Sequence, residues 1–371
     1  MNPSSSEVTI GLVMIVKNEE LTLPRLATSL DGQLNHWTIV DTGSTDDTVS
    51  VAKASFAGVP GEVIEDEWRG FGPSRNVALN AGRPHSDWLL SIDADETVVG
   101  SLEFSVDDEI DGIMVEEHFE PLRWWVPKLV RASSPWEWRG RAHEYLTLTE
   151  GQARFERTTS FHIAHHADGG NRGTKFDREI ALLQADLRDD PNDPRTVFYI
   201  ARTYEDSGEF PRAATWYRKR VKMEGWEEET WYSTWRLGRC LLASGKHDEG
   251  CGVLLRAWGW RPWRAEPLWS LAEHCRLHNQ WRLGFEACEL ARRHCGIEAA
   301  IPGNGFGGDQ LFVHDDVYAW RIDYEQSIAA YYVGERELGR ALIDNLMRRH
   351  DLPPEIAASV ESNLRFYDGK A

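Results

Sequence analysis

Apolar positions recur with one period in the first part of the chain and another in the rest, and the change falls near residue 170. Ile10 to Val16 is a β-branched apolar run that stops at Lys17, Asn18, Glu19 and Glu20. Leu21, Leu23, Leu26 and Leu30 then recur at helical spacing, with Pro24 in the first turn, where its missing N–H costs little. Trp37 to Val40 is a second run, closed by Asp41-Thr-Gly-Ser-Thr-Asp46; the next helix spans Thr48 to Ser55, with Thr45 or Asp46 as its N-cap. Glu62 to Glu65 reads as a short third strand, and Pro73 or Ser74 starts a further helix. Leu89 to Ile92 is a buried strand that ends abruptly in Asp93, Ala94, Asp95 and Glu96. Strands alternating with helices predict a parallel sheet covered by helices. Gly112 to Glu117 and Pro127 to Arg131 add later strands.

From Lys175 the period becomes helical: Phe176, Ile180, Leu183 and Leu187 share one face. After Asp190-Pro-Asn-Asp-Pro194 a self-similar unit begins, with helix, Ser207-Gly208 turn and helix over Phe198 to Val221. It recurs over Ser233 to Trp258 with Ser244-Gly245 at an offset of 37, and over Leu268 to Arg292 with Asn279 at a further offset of 34. A fourth copy covers Ser327 to Arg348, with Gly334 at its turn. Periods near 34 predict tetratricopeptide-like helix pairs, which bury their faces only on their neighbours. Ala299 to Val313, with four glycines in six residues, reads as a loop inserted between pairs. The expected division is therefore residues 1–170 and 171–371.

The polar residues after the early strands carry the chemistry. Parallel strands bring Lys17 and Asn18, Asp41 and Ser44, and Asp93 and Asp95 to one sheet edge, where open α/β sheets bind ligands. Three carboxylates at the end of a buried strand repel one another, and a divalent cation relieves that cost. Arg75, at the start of the intervening helix, lies beside them; a diphosphate would bridge such an arginine and the metal. There is no GxGxxG after the first strand and no GxxxxGK[ST] anywhere, which disfavours a dinucleotide dehydrogenase and a P-loop enzyme.

Four stretches carry a resemblance: Met14-Ile-Val-Lys-Asn-Glu-Glu20, Val40-Asp-Thr-Gly-Ser-Thr-Asp-Asp-Thr48, Ser74-Arg-Asn-Val-Ala-Leu79 and Ser91-Ile-Asp-Ala-Asp-Glu96. In order and spacing they resemble the family 2 glycosyltransferases over roughly residues 8–165. The resemblance implies an α/β nucleotide-sugar-binding domain of the GT-A, Rossmann-like kind. The activity it implies is inverting transfer of a sugar, uridine diphosphate sugars being favoured as donors. It further implies that Ile15, Lys17 and Asp41 hold the base, that Arg75 reaches the nucleotide-sugar, and that Asp93 and Asp95 hold Mn2+ or Mg2+ and, through it, the diphosphate. His143-Glu144, in the run from Trp138, resembles the His-Glu pair of many members. An inverting transfer needs a carboxylate to take the acceptor's proton, and Glu144 is the candidate base. Among His162, His165 and His166, either His165 alone or His162 and His166 together face the site; His166 is the expected metal ligand. Asp168-Gly-Gly-Asn-Arg-Gly173 reads as a loop over the site. Val317 to Tyr332 is similar to the tails of bacterial and viral glycosyltransferases fused to tetratricopeptide repeats.

Composition narrows the partners. Net charge is -19, and residues 1–165 hold -14 of it, with 13 Lys+Arg against 27 Asp+Glu. So acidic a chain gains nothing from phosphate backbones unless a local basic face provides it. Arg218, Lys219, Arg220 and Lys222 form one basic cluster; on a helix this is more often a solvated face. The acceptor expected is a hydroxyl of a protein or peptide, a modified DNA base, or a saccharide, with a protein partner on the repeats. A non-catalytic repeat scaffold with a nucleotide-sugar-binding domain is the alternative, disfavoured by the intact Asp93 and Asp95. Five cysteines without a CxxC pair read as reduced thiols of a cytoplasmic protein. No apolar run approaches the roughly 20 residues of a membrane span.

Overall fold

A computed structural model describes residues 8–104, 107, 109–119, 122–169, 175–297 and 312–369. The chain forms two compact units, residues 1–189 and 190–371.

The first unit is built on an eight-stranded sheet. Its leading elements are β1 (Ile10–Val16), α1 (Leu23–Ser29), β2 (His36–Asp41), α2 (Thr48–Ser55), β3 (Gly61–Glu65), α3 (Phe71–Gly82) and β4 (Trp88–Ser91). The later ones are β5 (Glu96–Gly100), β6 (Gly112–Phe119), β7 (Leu122–Arg131), β8 (Trp136–Arg139), β9 (Tyr145–Leu148), β10 (Phe155–His165) and α4 (Lys175–Asp189). Strand order is β3-β2-β1-β4-β7-β6-β10-β5, and β8 and β9 make a separate hairpin. β3, β2, β1 and β4 run parallel, as the alternation of runs and helices predicts. β7 enters antiparallel between β4 and β6, and β5 closes the far edge antiparallel to β10. β1 and β4 are buried on both faces, which is why they read as unbroken apolar runs. Leu12, Met14, Ile39, Leu90 and Ile92 form the core on one face, and Val13, Val40 and Leu89 pack with Ala78 and Leu79 of α3 on the other. Two elements escape the sequence reading: β5, whose partner β10 is distant in the chain, and the β8–β9 hairpin.

The helix expected to open the repeats, α4, lies with the sheet unit. Arg141 holds its end, donating from Nη1 to Asp186 at 2.8 Å and Asp189 at 2.6 Å.

The second unit is helical throughout its described residues. α5 (Pro194–Asp206) pairs with α6 (Phe210–Arg220), α7 (Glu227–Ala243) with α8 (His247–Trp260), and α9 (Glu266–Leu277) with α10 (Trp281–His294). After a π-helical turn at Val317–Arg321, α11 (Ile322–Val333) pairs with α12 (Arg336–Met347), and α13 (Pro354–Tyr367) closes the stack. The predicted turn residues Gly208, Gly245, Asn279 and Gly334 all have positive φ, between +58° and +93°, the left-handed conformation that ends a helix sharply. This is an all-α tetratricopeptide-like array. Of the loop predicted at Ala299 to Val313, residues 299–311 lie outside the described residues.

Candidate active site

The carboxyl ends of β1, β2 and β4 meet at one edge, as parallel pairing requires. A cavity of about 430 Å³ opens there, lined by Ile15, Lys17, Glu19, Arg75, Asp93, Asp95 and His165 among others.

The β1 and β2 ends are knitted together by short polar side chains. Asn18 takes a left-handed conformation at φ +59°, which asparagine tolerates, and its Oδ1 accepts from the Thr45 N–H at 2.8 Å. Its own N–H donates to Ser44 Oγ at 3.0 Å. The buried carboxylate of Asp41 accepts from the Ser44 hydroxyl and from the Ser44 and Gly43 amides. Asp41 is not itself a lining residue; its neighbour Thr42 is.

Arg75 is the central cation. Its Nη2 donates to Asp93 Oδ1 at 2.7 Å and its Nε to Glu144 Oε1 at 2.9 Å. Burial alone would lower its pKa; the two carboxylates more than offset that and hold the guanidinium firmly charged. Its plane lies 5.1 Å over the ring of Trp138. Glu144 thus meets Arg75, whereas the arginines adjacent to it in sequence pair elsewhere, Arg139 with Glu137 and Arg141 with α4. The Trp138–Glu144 stretch is docked on the start of α3: Asn76 exchanges two 2.8 Å hydrogen bonds with the Trp138 backbone, and the Gly72 amide donates to the Gly140 carbonyl at 3.0 Å. A Cβ on Gly72 would stand 2.3 Å from that carbonyl oxygen, so only glycine permits the contact.

Asp95 faces the cavity with Gly169 above it; a Cβ on Gly169 would lie 3.2 Å from Asp95 Oδ2. The Gly169 stretch is tied down by a two-point ion pair from Arg25 to Asp168, at 2.7 and 2.8 Å, and by the His166 amide donating to the Asp95 carbonyl at 3.0 Å. The three histidines separate. His165 lines the cavity, its Nδ1 4.0 Å from Asp95 Oδ1. His162 stacks on His118, and the His166 Nε2 lies 2.9 Å from Thr97 Oγ1. Phe161 and Ile163 are buried on the same strand face as His165; β10 ends at His165, so alternation does not extend to His166. Residues 170–174 of the predicted loop lie outside the described residues.

Sequence reasoning missed the support beneath the site. Glu96 turns inward, and Lys128 donates to it at 2.8 Å with Glu117 at 3.4 Å. Burial pushes the Glu96 pKa up, but Lys128, His165 and the Asp93 amide together bring it down to about 2. Glu96, Glu117 and His165 converge closely enough for a metal, yet the Lys128 ammonium already serves the two carboxylates. Facing the cavity are two hard carboxylates, Asp93 and Asp95, the donor type a divalent ion takes, although Asp93 Oδ1 is engaged by Arg75 and the His165 Nδ1 leans towards Glu96, 3.6 Å from its Oε1. The aromatic pair Trp68 and Phe71, edge to face at 4.8 Å, walls the cavity and was also missed, because each reads as loop or helix-start composition.

Residues 12–101 match the model of the Glycosyl transferase family 2. The chain carries a family 2 glycosyltransferase domain. The SPbeta prophage-derived glycosyltransferase SunS of Bacillus subtilis (strain 168) is 26% identical over 213 residues, covering 53% of this chain and 50% of that protein. An uncharacterized glycosyltransferase of Rickettsia typhi is 34% identical over 109 residues, covering 29% of this chain and 34% of its own length. The chain spans about half the length of these curated relatives, or less. A tetratricopeptide repeat protein from Parabacteroides merdae covers 53% of this chain and 68% of its own, with 11% identity and a TM-score of 0.39. The family 2 match ends at Ser101, so Glu144 and His165 lie beyond it. No helix among the described residues is long and apolar enough to cross a membrane.

Proposed function

We propose that this protein is an inverting, metal-dependent glycosyltransferase that moves a sugar from a nucleotide diphosphate, uridine diphosphate favoured, to an acceptor hydroxyl. The observation that carries the reading is Arg75, buried and charged between Asp93 and Glu144 at the ligand edge of the sheet. Ile15, Lys17 and the Asp41–Ser44 turn would receive the base and ribose end of the donor. Arg75 would donate two parallel hydrogen bonds to the diphosphate, where negative charge grows as the sugar leaves. Asp93 and Asp95, with His165 as the nearest imidazole, would hold Mn2+ or Mg2+, which supplies further neutralisation of that charge. Glu144 accepts the acceptor's proton as its oxygen attacks the anomeric carbon from the face opposite the diphosphate. The carbon–oxygen bond to the diphosphate breaks, and the bonding pair leaves with the nucleotide. The acceptor class remains a peptide or protein, a modified DNA base or a saccharide, and the repeats are the surface on which a protein partner would dock.

A donor screen reading released nucleotide diphosphate tests this, with and without manganese. Turnover with one donor is expected, lost after chelation and in Asp95→Ala. Glu144→Gln should lower kcat by roughly 10²–10⁴-fold with donor affinity retained, as for loss of a general base. Undiminished turnover in Asp95→Ala would refute the metal assignment; tight donor binding with no turnover on any acceptor class would favour a binding scaffold.

A further inference from the structure

Three histidines meet on the repeat unit, far in sequence from the carboxylates above. His274 lies in the last turn of α9, and His278 follows four residues on, at its C-cap, so both face the same way. The packing of α8 against α9 brings His247, the first residue of α8, to them. Ring centroids stand 5.0 Å apart for His247 and His274, 4.7 Å for His247 and His278, and 4.1 Å for His274 and His278. One ring nitrogen from each lies within 4.8 Å of the other two.

The protonation pattern suits ligation. His278 Nδ1 lies 2.9 Å from the His274 carbonyl oxygen. A carbonyl only accepts, so Nδ1 carries the proton and Nε2 presents its lone pair. A backbone carbonyl fixing the tautomer is the usual outer support of a metal-bound histidine. His274 is buried between the other two rings. Zinc bonds to imidazole of about 2.0–2.1 Å place ligand nitrogens roughly 3.3 Å apart, so closure needs a shift of about 1.5 Å or less. His247 is exposed and can supply it by side-chain rotation while His278 keeps its bond to the His274 carbonyl.

We propose that His247, His274 and His278 form a binding site for a divalent transition-metal ion, zinc by ligand type, that cross-links α8 to α9. Three neutral imidazoles suit zinc, nickel, cobalt or copper, whereas magnesium and manganese prefer the oxygen donors of Asp93 and Asp95. The ion joins the second helix pair to the third. Neighbouring pairs in such an array are stabilised mainly by their shared faces, so the link stiffens the array at its middle.

The test uses the full-length chain carrying Asp95→Ala, stripped with a chelator, so that the carboxylate site does not contribute. Cobalt titration is expected to give visible absorption bands of a nitrogen-rich site at one equivalent, displaced by zinc. His247→Ala and His278→Ala should each weaken binding at least tenfold. Zinc should raise the thermal midpoint of the parent by a few degrees and of neither variant. Both substituted side chains are exposed, so the metal-free midpoints should match the parent. One equivalent bound equally well by parent and variants would overturn the proposal, as would no binding at about 100 µM metal, a dissociation constant worth only about 5.5 kcal/mol.

Discussion

In the sheet unit Arg75 stands between Asp93 and Glu144 beside an open cavity, with 39% of the Asp93 side chain exposed. In the helical unit Arg264 stands against Glu266 with neither side chain exposed at all. Glu266 there also accepts from the Tyr318 hydroxyl at 2.9 Å, and Arg264 lies 4.2 Å over Trp231. Both are arginine–carboxylate contacts, made by the same groups at the same distance of 2.7 Å. What differs is the third party. Around Arg264 the partners among the described residues, Glu266 and Trp231, are parts of the stack, so the charges serve to hold helices in register. Around Arg75 one side is empty, so the charge is available to something that arrives. A buried ion pair says little about function until the space next to it is known.

The sharpest way to break the contrast is to remove each arginine and ask what fails. Arg264→Ala strands the Glu266 carboxylate in the stack, and the unfolding free energy of the helical unit should fall by about 3–5 kcal/mol in denaturant titrations. Arg75→Ala should cost less stability than Arg264→Ala, because Asp93 reaches solvent and only Glu144 is left buried, while turnover falls about 10²–10³-fold. Equal damage to stability from both would end the distinction. Arg75→Lys sharpens it, since a retained charge without the two-pronged geometry should recover only part of the lost rate.

A smaller effect concerns Glu325, buried against Arg276 at 2.7 Å. Burial raises its pKa to about 7, above the ordinary 4.5, despite the arginine. The folded chain therefore binds more protons than the unfolded one between these values. Stability contributed by this group is present below about 4.5 and is lost as pH rises towards about 7. The thermal midpoint of the parent should fall across that window relative to Glu325→Gln, with the two curves parallel outside it. The smallest effect is at Asn279, the one non-glycine among the four turn residues, with φ +58°. Asn279→Ala should cost about 1 kcal/mol and Asn279→Gly little or nothing, read from the same denaturant titrations.

These positions differ in how plainly the chain announces them. The turns were legible because a left-handed residue at a helix end is nearly always glycine or asparagine, and the offsets of 37 and 34 repeat. Asp93, Asp95 and Arg75 were legible because an acidic stop after an apolar strand and an arginine near the start of a helix are local signals. Glu96 was not. It reads as one more member of an acidic run, and only the pairing of β5 with β10 and the approach of Lys128 from β7 turn it inward. The same holds for Trp68 and for Glu144's partner, which depend on contacts between residues tens of positions apart. Among the histidines, the end of β10 at His165 decided which ring faces the cavity, and strand ends are the least legible feature of any sequence.

The meeting of Gly72 with Gly140 has a consequence for how such a protein can diverge. It is the bearing through which Arg75 and Glu144 keep their mutual position, because one side chain rides on each partner of that contact. Enlarging either glycine would displace the Arg75 guanidinium and the Glu144 carboxylate together. Changes of acceptor preference should accordingly accumulate in the surfaces around this joint, and drift within it should extinguish turnover before it redirects it.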